Sequence, residues 1–178
     1  EGFFGQGHLL SKGRFLRNAA EKKEVPSLIL WGTPGCGKTT LARILAESTD
    51  SDFMAFSAVT SGVKEIREVI ARAKTNLRLG KKTILFVDEI HRFNKAQQDA
   101  FLHHVEDGTI TLIGATTENP SFEVNAPLLS RCKVFTLNAL SKEEIGKILK
   151  MAASDRERGL GNLNMEIDEE AIDFISEF

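Results

Sequence analysis

The chain has 178 residues, of which 42% are hydrophobic and 27% charged, with a formal net charge of −2 and a pI near 6.1. These figures suit one complete α/β core with the start of something more, and they exclude a binder that works by overall positive charge, so any nucleic-acid contact needs a local patch. No apolar run approaches the ~20 residues of a membrane span, no signal-peptide pattern is present, and the two cysteines, Cys36 and Cys132, lie far apart; the expectation is a soluble, intracellular protein with free thiols and no membrane partner.

From the N-terminus, Phe3 to Leu10 leads into a predicted helix from about Lys12 to Glu24, with Phe15, Leu16 and Ala19 on one face and Pro26 beyond its end. By spacing alone this is a packing segment. A strand, Leu28 to Trp31, then enters Gly32-Thr33-Pro34-Gly35-Cys36-Gly37-Lys38-Thr39, which meets every fixed position of G-x-x-x-x-G-K-[ST], and Thr40 to Ala46 follows as a good helix former. Strand, loop and helix in that order make the motif a phosphate-binding loop. Its glycines let successive N–H groups turn inward around a polyphosphate at the positive end of the helix. Pro34, Gly35, Cys36, Gly37, Lys38, Thr39 and Thr40 are therefore candidate nucleotide contacts. Lys38 supplies a point charge for the β- and γ-phosphates, and the Thr39 hydroxyl is placed to ligate Mg²⁺.

A second strand is expected near Phe53 to Phe56. Beyond Thr60-Ser61-Gly62, the apolar positions Val63, Ile66, Ile70, Ala73 and Leu77 recur at steps of three and four, as one face of an amphipathic helix does. Lys64, Arg67, Arg72, Lys74, Arg78, Lys81 and Lys82 lie on its other face and at its end. Such a run is ordinarily a solvated face, and it is also where DNA would touch. A third strand, Thr83 to Val87, is apolar throughout, as a strand covered on both faces should be, and it delivers Asp88 and Glu89 at its C-terminal end, where ligands of open α/β sheets collect. Asp88 reads as a Mg²⁺ ligand acting through water, and Glu89 as the base that orients and polarises the attacking water. Asp88-Glu89-Ile90-His91 also spells a DExH box, but helicases of that kind close a cleft between two similar lobes, and this chain has room for one.

Lys95 to Val105 reads as a helix with Ala96, Ala100, Leu102 and Val105 available for packing. Thr109 to Ala115 is the fourth strand, and a polar residue at its tip, Thr117 or alternatively Thr116, can reach a γ-phosphate or the lytic water. Ala126 to Leu129 leads to Ser130-Arg131-Cys132 and a fifth strand at Val134 to Leu137. Five strands separated by helices give an α/β, doubly wound, three-layer parallel sheet. Ser141-Lys142-Glu143-Glu144 is a capping box opening a helix to about Glu157, and a last helix starts near Asp168, with Ala171, Ile172 and Ile175 on one side, still running at Phe178. The expected division is an α/β nucleotide-binding domain over 1–138 and the start of a truncated helical lid over 139–178.

The phosphate-binding loop, Asp88-Glu89, the Thr116-Thr117 strand end and Ser130-Arg131-Cys132, in that order and spacing, resemble the ATPase core of AAA+ proteins of the clamp-loader clade. More narrowly, Thr83 to Lys95, Gln97-Gln98-Asp99 and Gly108 to Phe122 are similar to the replication-associated recombination protein A family (RarA, MgsA) and its eukaryotic relatives, the Werner helicase-interacting proteins; Ser57 to Glu65 looks more like the bacterial branch. The resemblance implies a DNA-stimulated ATPase using ATP and Mg²⁺ at stalled or damaged replication forks. It implies homo-oligomeric rings or partial rings, and single-stranded, gapped or forked DNA and single-stranded DNA-binding protein as partners. The implied location is the cytoplasm with the nucleoid, or the nucleus of a eukaryote. It makes Thr117 similar to the sensor of the γ-phosphate, Arg131 to the arginine finger that reaches the neighbouring subunit's ATP, and Gly5, Gln6, Leu9 and Leu10 to the segment against the adenine. Gly7 departs from the larger residue relatives carry, and the lid's second sensor arginine, the C-terminal assembly region and a ubiquitin-binding finger are missing, as in a fragment. A clamp-loader subunit, whose strand tip would carry asparagine where this chain has Thr117, and a nucleotide-gated scaffold with little turnover remain as alternatives.

Overall fold

The structure, a computed structural model, describes residues 3–59, 62–157, 159–163 and 167–177, and only the backbone of Val63. Thr60 and Ser61, in the expected loop, and Phe178, at the expected end of the last helix, lie outside the described residues. Contacts divide the chain into two units, one of residues 7–137 and one of residues 1–6 with 138–178.

The larger unit is built on a five-stranded parallel sheet in the order β2-β3-β4-β1-β5, with β1 Leu28–Trp31, β2 Asp52–Ser57, β3 Thr83–Asp88, β4 Thr111–Thr116 and β5 Lys133–Thr136. The helices joining them are α3 Lys38–Ser48, α4 Val63–Arg78, α5 Lys95–Glu106, α6 Pro120–Glu123 and α7 Ala126–Leu129, preceded by α1 Gly7–Leu10 and α2 Phe15–Glu21. Parallel strands need a crossover for each step, and these helices cover the sheet so that Ile84, Leu85, Phe86 and Val87 of β3 and Leu112, Ile113 and Ala115 of β4 are all buried. The three-layer arrangement expected from the alternating pattern is the one observed. One consequence decides where the chemistry sits: β1, β3 and β4 all end on the same edge, so the loop after β1, Asp88–Glu89 and Thr116–Thr117 converge there. The ladder continues past the strands at that edge, where Gly32 N–H donates to Thr116 O at 3.2 Å and Ala58 N–H to Asp88 O at 3.0 Å.

Several local expectations shift. The helix expected from about Lys12 to Glu24 is the shorter α2, with the separate turn α1 before it, and Phe15 is exposed and stacks on Phe135 of β5, while Leu16 and Ala19 carry the buried face. In α4, Ile66, Ile70 and Ala73 are buried and Leu77 is exposed. In α5 the buried residues are Gln98 and Phe101 rather than Ala96 and Ala100. An alanine periodicity cannot announce this, because Gln98 is inside for its hydrogen bonds: its amide nitrogen donates to Phe93 O at 3.1 Å and Glu123 O at 3.0 Å, and its oxygen accepts from Asn125 N at 2.8 Å. A buried amide so satisfied ties the turn at Phe93 to the α6–α7 junction. Gly114 in mid-β4 is closely covered, since a Cβ there would meet Ile29 Cδ1 at 2.7 Å and Ile90 Cδ1 at 3.0 Å and push those side chains aside.

In the smaller unit, α8 Lys142–Ser154 opens with the predicted capping box, Ser141 Oγ accepting from Glu144 N and Glu144 accepting from Ser141 N. It ends three residues short of the expected Glu157. α9 Glu169–Ile175 is capped by Asp168 and buries Ile172, whereas Ile175 is exposed and the helix stops at the Ser176 cap. Lys142 lies 2.9 Å from Glu177, and Lys150 lies 2.7 Å from Glu169, pairing the two helices. The expected boundary put residues 1–6 with the nucleotide-binding domain. They belong instead with this unit, because the Gln6 amide donates to Asn138 O at 2.7 Å and accepts from Asn138 N at 2.9 Å.

Candidate active site

Glycine makes the loop after β1 possible. Gly35 and Gly37 hold φ of +78° and +95°, a region open to glycine and strained for other residues. Gly37 is also the N-cap of α3, so the loop runs directly into that helix's free N–H groups. Pro34, Gly35, Gly37, Lys38, Thr39, Thr40, Asp88 and Glu89 line a single cleft of about 360 Å³. Lys38 is 8% exposed, and its ammonium donates to Gly32 O at 2.7 Å and Thr33 O at 2.9 Å. Cys36 does not line the cleft. Its side chain is buried behind the loop, with Sγ 3.9 Å from the Lys38 ammonium.

Opposite the loop, Asp88 and Glu89 end β3. Asp88 Oδ1 accepts from Glu89 N at 3.2 Å, and Thr39 and Asp88 together offer a hydroxyl and a carboxylate to the same space. Hard oxygen donors of that kind fit Mg²⁺. Glu89 has φ 53° and ψ 46°, left-handed for a residue with a Cβ. Such strain persists only where the surroundings over-determine it, and it gathers at functional sites. Its carboxylate Oε2 lies 3.1 Å from His91 Nδ1 and accepts from the Thr117 hydroxyl at 3.5 Å. Thr116 is fully buried, with its hydroxyl 3.0 Å from the same His91 nitrogen. The two threonines thus do different things: Thr117 reaches the glutamate, and Thr116 faces inward.

Arg131 does not line this cleft. It follows α7 with its side chain 38% exposed, donates to Pro127 O at 2.7 Å and to Ser130 Oγ at 3.0 Å, and forms an ion pair with Glu106 of α5. Burial pushes the thiol of its neighbour Cys132 up to about 12. Leu10 is half-buried on α1, while Gly5 and Gln6 belong to the smaller unit, so the expected adenine contacts are split between the two units. Among the described residues, His103, His104 and Asp107 also gather ligand atoms within 4.8 Å of one another. They sit at the C-terminal end of α5, and Asp107 is occupied as an acceptor for Thr109 N at 2.8 Å. The residue that pattern reading left out of the site is His91. Its signal was present, since the DExH spelling puts a histidine two residues after the glutamate, but spacing alone does not say which way a side chain turns.

Residues 28–140 match the family described as "ATPase family associated with various cellular activities (AAA)". The chain is 53% identical over 178 residues to Replication-associated recombination protein A of Haemophilus influenzae, covering 100% of this chain and 40% of that protein. It is 55% identical over 175 residues to the Escherichia coli K12 protein of the same name, covering 98% and 39%. It is 55% identical over 148 residues to ATPase WRNIP1 of Dictyostelium discoideum, covering 83% and 17%. Among solved structures, the Thermotoga maritima RuvB Holliday junction branch migration motor aligns with a TM-score of 0.72 at 31% identity, over 98% of this chain and 56% of that one. The chain therefore spans about two fifths of the length of these bacterial relatives.

Proposed function

The chain belongs to the AAA family of ATPases, and from that premise we propose that it hydrolyses ATP to ADP and phosphate in replication-associated recombination, remodelling DNA or a DNA–protein complex. The observation that carries the reading is the meeting of Lys38, Thr39, Asp88 and Glu89 on one cleft. The names borne by the bacterial relatives and by WRNIP1 support the setting.

Phosphoryl transfer spreads negative charge over the γ-oxygens, so catalysis is largely positioning and cations. The loop N–H groups and the N-terminus of α3 hold the β- and γ-phosphates, and Lys38 turns its ammonium onto them. Thr39 and Asp88 would hold Mg²⁺, which when bound neutralises charge on the phosphate oxygens. Glu89 accepts a hydrogen bond from the attacking water and draws its proton. Thr117, at the tip of β4, donates to the γ-phosphate. Arg131 acts on the nucleotide of a neighbouring copy, so the site is complete only in an assembly. Single-stranded, gapped or forked DNA and single-stranded DNA-binding protein are the partners this reading assigns, with the exposed basic face of α4 as a DNA contact.

The test is hydrolysis of Mg²⁺-ATP by the assembled protein with and without single-stranded and forked DNA, together with a mixing experiment. Arg131→Ala and Lys38→Ala proteins, each inactive alone, should partly restore turnover when combined, because a mixed interface pairs an intact loop with an intact finger. A mixture that stays inactive in rings shown to contain both proteins would falsify the shared site.

A further inference from the structure

We infer that His91 is the positioning residue that fixes the Glu89 carboxylate, donating from Nδ1–H, with Thr116 anchoring the imidazole; this rests on the reading of Glu89 as the base for water. Glu89's backbone is held in a left-handed turn, but its side chain is 30% exposed and would sample several rotamers unaided. Two side chains restrain it. Thr117 approaches at 3.5 Å, at the outer limit of a hydrogen bond, and His91 Nδ1 lies 3.1 Å from Oε2, within ion-pair distance. His91 is the more rigid of the two. Its side chain is 9% exposed, and it sits on the 3₁₀ turn Ile90–Arg92, whose Ile90 is fully buried against the space Gly114 leaves.

The hydrogen-bond network assigns the proton. Thr116 Oγ1 lies in hydrogen-bond geometry 3.0 Å from Nδ1 and Glu89 Oε2 stands beside it at 3.1 Å; a carboxylate only accepts, so the tautomer assigned here carries its hydrogen on Nδ1. Thr116 can accept because its own hydroxyl hydrogen points to Glu118 O at 3.3 Å, while Glu118 N donates back to it at 3.0 Å. The chain of contacts thus runs from the backbone at Glu118 through a buried threonine and a buried imidazole to the carboxylate.

The experiment measures steady-state and single-turnover hydrolysis, nucleotide affinity and Tm for the assembled protein carrying His91→Ala, His91→Asn or His91→Gln, with Glu89→Gln as reference. The alanine variant should lower kcat about 10- to 100-fold, the range seen when an orienting partner behind a functional ligand is removed, with KM and nucleotide affinity within about twofold. An asparagine amide nitrogen occupies the place of Nδ1, so His91→Asn should recover most of that loss. A glutamine amide falls near Nε2, so His91→Gln should not. A merely structural histidine would move Tm and leave no such split. The inference is overturned if His91→Ala keeps kcat within about twofold of the parent, or if the asparagine and glutamine variants are equally slow. The latter comparison decides the matter should the alanine variant fail to fold. Full turnover in Glu89→Gln would overturn the reading of Glu89 itself and this inference with it, whereas an inactive Glu89→Gln beside a normal His91→Ala removes only the inference.

Discussion

Lys38 and Arg131 carry the same charge and stand in opposite surroundings. Lys38 is buried in the loop it belongs to, its ammonium held by two carbonyls of that loop. Arg131 is at the surface, away from the cleft, and paired with a glutamate of another helix. The first cation is built into its own site by local sequence. The second is displayed, on a short helix end braced by Pro127 and Ser130, toward whatever lies outside the unit. The contrast teaches that two cations close in sequence to the same sheet can be placed quite differently, one enclosed by the loop that carries it and one held at the surface by a neighbouring helix.

The largest effect expected from breaking this contrast is at Lys38. Lys38→Ala should abolish both nucleotide binding and turnover, measured by titration with a fluorescent ATP analogue and by phosphate release; tight binding with normal turnover would show that the buried cation is only a brace for the loop. Next is Arg131→Ala, which should leave affinity near the parent value and lower kcat by about 10³ to 10⁵, or about 4 to 7 kcal/mol. Equal losses in affinity and turnover would erase the distinction between the two cations. A smaller effect belongs to Glu106→Gln, which frees Arg131 from its surface partner. Exposed pairs are worth about 0 to 1 kcal/mol, so turnover of the assembled protein should change by no more than about fivefold, and a larger change would make Glu106 part of how the finger is aimed. The smallest concerns the two thiols that neighbour these cations. With burial holding Cys132 near 12, its thiolate fraction at pH 8 is about 10⁻⁴, and disulfide reagents should label it only on unfolding. Nucleotide should slow labelling of Cys36 and leave the rate at Cys132 unchanged, as followed by mass spectrometry.

The sheet and the phosphate-binding loop were readable because both are local. Leu28 to Thr39 announces a strand, a glycine turn and a helix in twelve consecutive residues, and Thr83 to Glu89 does the same for β3 and its carboxylates. Asp88 and Glu89 could be placed at one strand end and Thr117, with Thr116 as the alternative, at the next, since parallel strands finish on one edge. What escaped was decided by contacts between distant segments. Gln6 joins Asn138 across 132 residues through its side chain, and no periodicity marks such a pairing. Gln98 is buried by its hydrogen bonds, against the usual rule for its type. The fifth strand reads as apolar, yet as an edge strand it leaves Val134 exposed. His91 spells a motif in sequence, but its grip on Glu89 depends on Thr116, which arrives from the adjoining strand.

The bare position in the middle of β4 has a consequence well beyond the strand. Gly114 is a spacer against which Ile90 is seated, and Ile90 begins the turn that follows Glu89. A single methyl group there would press on Ile29 of β1 and on Ile90 alike, so the strand that enters the phosphate-binding loop and the turn that follows Glu89 would both have to give way to it.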